Sequence, residues 1–288
     1  MRHTQERGQA HGRNPGARRG WPSGGQLMPV RVVEHAYGDR VCILDNPWMH
    51  SALARLGSSE TSHTELMYLL RSVYSCMAQI SFGAHLPTVH QTRPTRMSQA
   101  HPKEGAWVGQ GLDPSAEVVV LDVIRGGMIP AQVCFELLTA VLPVDKLRLD
   151  HLNMARQSDA QGKVTGVDLS GSKVGGSLEG VTLVLPDPMG ATGGTLVKAI
   201  KFLVEHHGKP AQILALPMIA TPEFLKTVLG AFENIWVYAA RVDRGLSPPD
   251  VLETPPGTHW KWEKGLNEHS YIVPGAGGLG EVLNNSWC

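Results

Sequence analysis

Cysteine is scarce in this chain. Cys42, Cys76, Cys134 and Cys288 are scattered, with no CxxC spacing. They present no disulfide framework and read as reduced thiols of a cytosolic protein. Neither sign of charge is in excess: 26 basic and 26 acidic residues cancel. No global field therefore argues for a nucleic acid or membrane partner. No apolar run comes near the roughly 20 residues that cross a bilayer. The 13 histidines show no HxxxH or HExxH spacing, so no dedicated zinc site is expected. No Ser–His–Asp or Cys–His constellation stands out for covalent catalysis. The N-terminus is poor in apolar residues. MRHTQERGQAHGRNPGARRGWPSGGQ cannot bury a core and reads as a disordered basic tail over 1–28. It has no apolar segment of a secretory signal. Its arginines, Arg2, Arg7, Arg13, Arg18 and Arg19, read as solvated charges.

What is present is an ordinary globular composition, 42% hydrophobic and 18% charged over 288 residues. A single α/β domain is expected over 29–288. From Ser62 to Phe82, Leu66, Leu69, Leu70, Val73, Met77 and Ile80 recur at helical spacing, with Ser62 and Glu65 as a capping box and Gly83 as the stop. Gln91 to Ser115 is polar and reads as irregular. EVVVLDVI (117–124) then begins an alternation of buried strands and helices. A helix with Pro130 near its start, LRLDHLNM (147–154), VTLVL, a helix over Leu196–His207, QILALPMI, TPEFLKTVLG and NIWVYAA follow in turn. Leu196, Ile200, Leu203 and Val204 should face inward. Gln161 to Gly180 reads as a flexible excursion. Such alternation implies a mostly parallel, doubly wound sheet, whose ligands sit at the carboxyl ends of the strands. The loops IRGG, DPMGATGGT and RVDRG should share that edge. Residues 244–265 form a proline-rich insert whose Trp260 and Trp262 would staple a surface loop. Asp122, inside an apolar strand, either faces the site or is paired by a buried donor. His151 next to Asp150 follows a strand and is expected near the site or buried and satisfied.

The turn DPMGATGGT (187–195) lies between a strand and a helix. Glycines at 190, 193 and 194 let the backbone curl toward an anion, and a helix N-terminus favours negative charge. Thr192 and Thr195 add hydroxyl donors. Asp187 would repel a phosphate, so ribose hydroxyls are its natural partner. The turn lacks the lysine of a P-loop and the GxGxxG of a dinucleotide fold. It reads as a sugar-phosphate cradle.

At these residues a resemblance enters. DPMGATGGT resembles the phosphoribosyl pyrophosphate (PRPP) loop of uracil phosphoribosyltransferases, usually DPMLATGG followed by Ser or Thr. LNEHSYIVPGAGGLGE (266–281) is similar to that family's uracil-binding stretch, usually LNxxxYIVPGLGDAGD. NPWMHSALARLGSSETS and VIRGGM resemble two further segments. The resemblance implies a type I phosphoribosyltransferase α/β fold with a small hood over the base site, formed from 266–288. It implies PRPP binding by Asp187, Met189, Ala191, Thr192, Gly193, Gly194 and Thr195. It implies Asp187, Arg125, Arg156 and Asp243 as catalytic residues, and Tyr271, Ile272, Gly277, Gly278 and Leu279 as base-binding residues. Mg²⁺ is implied as cofactor, carried by PRPP and water without a protein metal site. A homodimer and a GTP effector are implied as well.

The sequence also departs from the family. The first Asp of the base motif is Gly278, the second is Glu281, the Leu is Ala276 and the following Arg is Val282. Gly278 removes a carboxylate next to the base and the pyrophosphate. In the N-terminal segment the family's Lys and Arg appear as Ala52 and Gly57. The phosphate half is thus better preserved than the base half. The default reading is a cytoplasmic enzyme of pentosyl transfer that makes UMP from uracil and PRPP in pyrimidine salvage. Its alternatives are a non-uracil heterocycle as acceptor and a non-catalytic regulator that binds PRPP or a nucleotide.

Overall fold

Apolar, β-branched runs form strands that must be covered on both faces. In the computed structural model, which describes residues 30–158, 164–168 and 171–286, the chain opens with β1 (Val41–Ile43), α1 (Pro47–Leu56) and α2 (His63–His85). There follow β2 (Thr88–Pro94), β3 (Ala106–Leu112), β4 (Val118–Ile124), α3 (Met128–Thr139) and β5 (Leu147–Asn153). Two short strands, β6 (Ala155–Ser158) and β7 (Val164–Asp168), pair with each other. Then come β8 (Thr182–Gly190), α4 (Gly194–His207), β9 (Gln212–Ala220), α5 (Pro222–Ala231), β10 (Ile235–Ala239) and β11 (Arg241–Val242). The short helices α6 (Pro249–Leu252) and α7 (Leu279–Asn284) complete the described elements.

The main sheet runs in the order β1-β10-β9-β8-β4-β5, with β11 beside β9, and each pairing in it is parallel. Alternate residues divide two cores. Val118, Val120, Val184, Leu214 and Leu216 pack against α1, α2 and α3. Val119, Leu121, Leu183, Leu185, Ile213 and Ala215 pack against α4 and α5. This is a parallel, doubly wound α/β sheet, as the alternation of strands and helices predicts. The strand order reverses between β4, which leads through α3 to β5, and β8, which leads through α4 to β9. Caps begin the helices where the sequence sets them. Asn46 Oδ1 accepts from Trp48 and Met49 N–H, Ser62 Oγ from Glu65 N–H, and Thr221 Oγ1 from Phe224 N–H.

Several expectations are corrected. Residues 91–115 are not irregular: β2 and β3 form an antiparallel hairpin from Thr88–Leu112 to Pro94–Ala106. Gln91 Nε2 donates to the Leu112 carbonyl at 2.6 Å, a side-chain contact that hydrophobic periodicity does not report. Gly83 does not stop α2, which continues to His85. The last turn is held by the His85 ring, 4.8 Å from Trp236 and 3.0 Å from the Tyr238 hydroxyl. Val204 is exposed, and Ala199 takes the inward position. Part of the excursion at 161–180 is β7, while 161–163 and 169–170 lie outside the described residues, as does the expected tail over 1–28.

The insert is anchored by one tryptophan and by charge. Trp260 donates to the Pro222 carbonyl at 2.9 Å and packs edge-on to Tyr37; Trp262 is exposed. The segment turns and does not extend, so the two indoles do not share a face. Beneath it Glu263 is buried. It accepts from the Tyr37 hydroxyl at 2.6 Å, Gly257 N–H at 2.8 Å and the Arg244 guanidinium at 3.0 Å. Arg244 also donates to the carbonyls of Val251, Leu252 and Thr254. Removing one partner of such a pair strands the other charge. We therefore expect Glu263→Ala to lower stability by about 3–5 kcal/mol, read as a drop in the denaturant midpoint, with the loss largely absent in Trp262→Ala.

Candidate active site

The site forms at the strand-order reversal, the crevice where parallel α/β sheets bind ligands. Two loops meet there. One follows β4 and carries Arg125, Gly126 and Gly127; the other follows β8. A Cβ built on Gly126 would lie 3.7 Å from the Pro188 ring and 3.9 Å from Asp187 Oδ1. A Cβ on Gly127 would lie 2.9 Å from Val123 N and 3.2 Å from Asp122 Oδ1. Glycine at 127 therefore lets this loop close onto its own strand. The Ile124–Arg125 peptide is cis. A separate cavity of about 190 Å³, lined by Glu117, Lys146, Arg148 and Glu179, opens at the amino ends of the strands, the edge where such sheets do not bind ligands.

The strand β8 runs further than its apolar run suggests. Asp187 and Met189 pair with Pro217 and Ile219, so the curl itself is only Ala191–Gly193. Gly193 adopts φ +76° and precedes α4; a side chain there would be strained and would meet Val228 and the Phe224 carbonyl. Two of the turn's amides are used internally: Ala191 N–H donates to Met189 O and Gly194 N–H to Thr192 Oγ1. Those of Thr192, Gly193 and Thr195 make no hydrogen bond among the described residues. The side chains of Thr192 and Thr195 are exposed. Open amides, two hydroxyls and a helix N-terminus make an anion cradle.

Asp187 sits half-buried beneath that cradle, with Oδ1 accepting from Met189 N–H at 3.0 Å. Burial pushes its carboxyl up to about 6, opposed by the Met189 amide. No cation pairs with it among the described residues. Arg125 reaches across to the C-terminal segment, donating to Ser286 O at 3.1 Å and Ser286 Oγ at 3.3 Å. Arg156 lies in β6 opposite Val167; its side chain is outside the described atoms.

Asp243, for which the family resemblance implies a catalytic role, directly follows β11. It is buried, and both oxygens are engaged: Arg241 Nη2 donates at 2.8 Å and Gly275 N–H at 2.7 Å to Oδ2, while Arg241 Nε holds Oδ1. Arg241 also donates to Gly275 O. The pair thus grips both polar groups of one hood residue. In the hood, Asn267 fixes Tyr271: its Oδ1 accepts from Tyr271 N–H and its own N–H donates to Tyr271 O. Ile272 and Leu279 bury their side chains, and the main-chain N–H and C=O of Ile272 make no hydrogen bond among the described residues. Gly277 adopts φ +70° and accepts from Leu279 N–H. Gly278 O accepts from Glu281 and Val282 N–H. Ala276 faces Gly57: a Cβ added to Gly57 would lie 3.7 Å from the Ala276 methyl and 3.3 Å from Gly275 O.

Asp122 resolves into a pair that sequence spacing alone does not reveal. Its Oδ2 lies 2.8 Å from His151 Nδ1, across the β4–β5 register, while Oδ1 is buried without a partner among the described residues. Burial raises the Asp122 carboxyl and His151 lowers it.

The Asp187 carboxyl is higher in the folded chain than its ordinary 3.8, so folding favours the protonated acid. That preference is fully present below about pH 4 and is lost as pH rises through about 6. Asp187→Asn should therefore stabilise the ligand-free protein by about 1–3 kcal/mol at pH 8. Melting curves should show the gain disappearing at pH 4.

Comparisons with known proteins agree with this geometry. The family model described as "UPRTase: Uracil phosphoribosyltransferase" matches residues 43–257. It ends before the hood motif. A uracil phosphoribosyltransferase of Dictyoglomus thermophilum is 23% identical over 84% of this chain and 98% of its own length. One of Symbiobacterium thermophilum is 26% identical over 85% and 97%. The solved AQ2163 protein of Aquifex aeolicus shares the fold, with TM-score 0.62 at 21% identity over 84% of this chain and 97% of its own. With a family model spanning most of the chain, and with the strand-order reversal carrying both family loops, the protein belongs to the uracil phosphoribosyltransferase family and is a phosphoribosyltransferase.

Proposed function

We propose that the protein transfers the 5-phosphoribosyl group from PRPP to a pyrimidine base, with uracil as the default acceptor and UMP and pyrophosphate as products. The observation that carries this is the set of open amides at Thr192, Gly193 and Thr195 in the loop after β8, whose Asp187–Pro188 end lies against Gly126 of the Arg125 loop. On this reading the 5′-phosphate rests on the turn formed by Met189, Ala191, Thr192, Gly193, Gly194 and Thr195. Asp187, the carboxylate without a cation, accepts from the ribose hydroxyls. Arg125 and Arg156 take the pyrophosphate. The C1–O bond breaks with its electron pair leaving on pyrophosphate, and a ring nitrogen of the base bonds to C1 from the opposite face and sheds its proton. No protein nucleophile is required; holding two reactants in line supplies much of the rate. The open peptide groups of Ile272 suit a pyrimidine edge, beside Tyr271, Gly277, Gly278 and Leu279.

No group of three or more metal-ligating side chains exists among the described residues. On this reading Mg²⁺ would be carried by the substrate phosphates and water, beside the Asp187 carboxylate, which pairs with no cation among the described residues. The ion would neutralise charge on the departing pyrophosphate. A non-uracil heterocycle is a second reading, favoured by the paired small residues Gly57 and Ala276. No helix among the described residues is long and apolar enough to cross a membrane, and pyrimidine salvage in the cytoplasm is the setting we infer.

The assay is release of pyrophosphate from PRPP with Mg²⁺ and a panel of pyrimidines and related heterocycles, with and without GTP as effector. Turnover with at least one base is expected. Arg125→Ala should raise KM for PRPP roughly 10- to 100-fold, the loss of charged hydrogen bonds. Tight PRPP binding without turnover on any base would leave a regulator instead. We also infer a homodimer. The β2–β3 hairpin is exposed on both faces, with Trp107 46% and Val108 57% accessible, and a lone hairpin is marginal in water. Light scattering should give a dimer, and Trp107→Lys with Val108→Lys should shift it to monomer.

A further inference from the structure

The family motif has acids at the positions of Gly278 and Glu281; this chain keeps only the second, and the structure brings its carboxylate to the place that a side chain at 278 would fill. A Cβ built on Gly278 would lie 2.5 Å from Glu281 Oε2. Glu281 thus fills the volume into which a side chain at 278 would project. The first turn of α7 brings it there: Glu281 and Val282 N–H donate to Gly278 O at 3.1 and 3.2 Å. With no Cβ at 278, the Glu281 carboxylate occupies that volume as it stands. The Tyr271 ring edge is 4.0 Å from the same point, so an aromatic edge and a carboxylate bracket one volume in the hood. Glu281 is half-buried, and its carboxylate has no hydrogen-bond donor or cation among the described residues. A carboxylate drawn out of water without a donor leaves acceptor capacity open to a ligand.

We propose that Glu281 supplies the acceptor-site carboxylate that Gly278 lacks, accepting a hydrogen bond from a ring N–H or amino group of the incoming heterocycle. This rests on the phosphoribosyl-transfer reading and names which group of this chain selects the base. Of the motif's two acids this chain keeps the second, as Glu281, and its carboxylate reaches the volume that a side chain at 278 would fill. The acceptor is therefore a heterocycle that presents an N–H donor to the hood.

The role of Glu281 is tested by shifting the carboxylate to position 278. Calorimetry first measures ribose 5-phosphate binding to each variant, which checks folding and the phosphate cradle. Protein saturated with ribose 5-phosphate and pyrophosphate, which cannot react, is then titrated with uracil and with cytosine. Glu281→Gln should weaken binding of the preferred heterocycle roughly 10- to 100-fold and leave ribose 5-phosphate within about two-fold. The double variant Gly278→Asp with Glu281→Ala should recover most of the loss; Gly278→Ala with Glu281→Ala should not. In turnover, KM for the base should move while KM for PRPP does not. Unchanged heterocycle binding in Glu281→Gln, no recovery in the swapped variant, or no binding of either heterocycle to the wild type overturns the proposal while ribose 5-phosphate still binds. If ribose 5-phosphate itself fails to bind, the transferase reading falls, and this role falls with it.

Discussion

Parallel strands covered on both faces leave their carboxyl ends on one edge, and that constraint organises this molecule. Each strand-to-helix connection must leave the sheet there. Because β4 turns toward α3 on one face and β8 toward α4 on the other, their loops part and leave a crevice between them. Nothing about Arg125, Asp187 or the glycine turn needs to be close in sequence for them to meet. The register of β4 against β8, Val118 beside Thr182 and Val120 beside Val184, is enough to bring Gly126 against Pro188. The hood is then tied to the same edge by Asp243 and Arg241 at the end of β11, which hold Gly275 by both its peptide groups.

Charge at this edge sorts the carboxylates. A carboxylate taken out of water must find a partner or lose its charge. Asp243 finds Arg241, Asp122 finds His151, and Glu263 beneath the insert finds Arg244. Asp187 finds only one amide, and its carboxyl rises accordingly. A poorly satisfied acid in a crevice opposite an arginine loop is a group waiting for donors, and ribose hydroxyls are donors. The same argument separates Asp187 from Asp243, which look alike in sequence as strand-end aspartates.

Much of the fold is legible in the sequence because its signals are local. Continuous β-branched runs announce β4, β8, β9 and β10, and polar caps announce α2 and α5. The glycine turn announces an anion cradle, since few other tasks need three glycines between a strand and a helix. What escapes depends on distant partners. The hairpin of β2 and β3 is polar and exposed, so it carries no burial pattern; its pairing comes from cross-strand contacts. The true end of α2 is hidden because His85 packs on two aromatic residues about 150 positions away. Asp122 cannot be assigned from sequence, because its partner lies on a neighbouring strand whose register the sequence does not state. Nor does the sequence state that Arg241 and the Gly275 amide occupy both oxygens of Asp243.

The departures from the family pattern are not scattered. Gly57 lies against Gly275 and Ala276, and Gly278 lies under Glu281. Ala276 and Gly278 are two residues apart on one loop, and the end of α1 closes over it. The family model, matching through residue 257, stops short of that loop. Gly57 and Ala276 each replace a larger residue of the family pattern and face each other, and the Glu281 carboxylate reaches the volume that a side chain at 278 would fill. These differences fall on the hood half of the crevice, whereas the glycine turn after β8 keeps the family pattern, because a backbone curl that opens its amides tolerates few residues other than glycine.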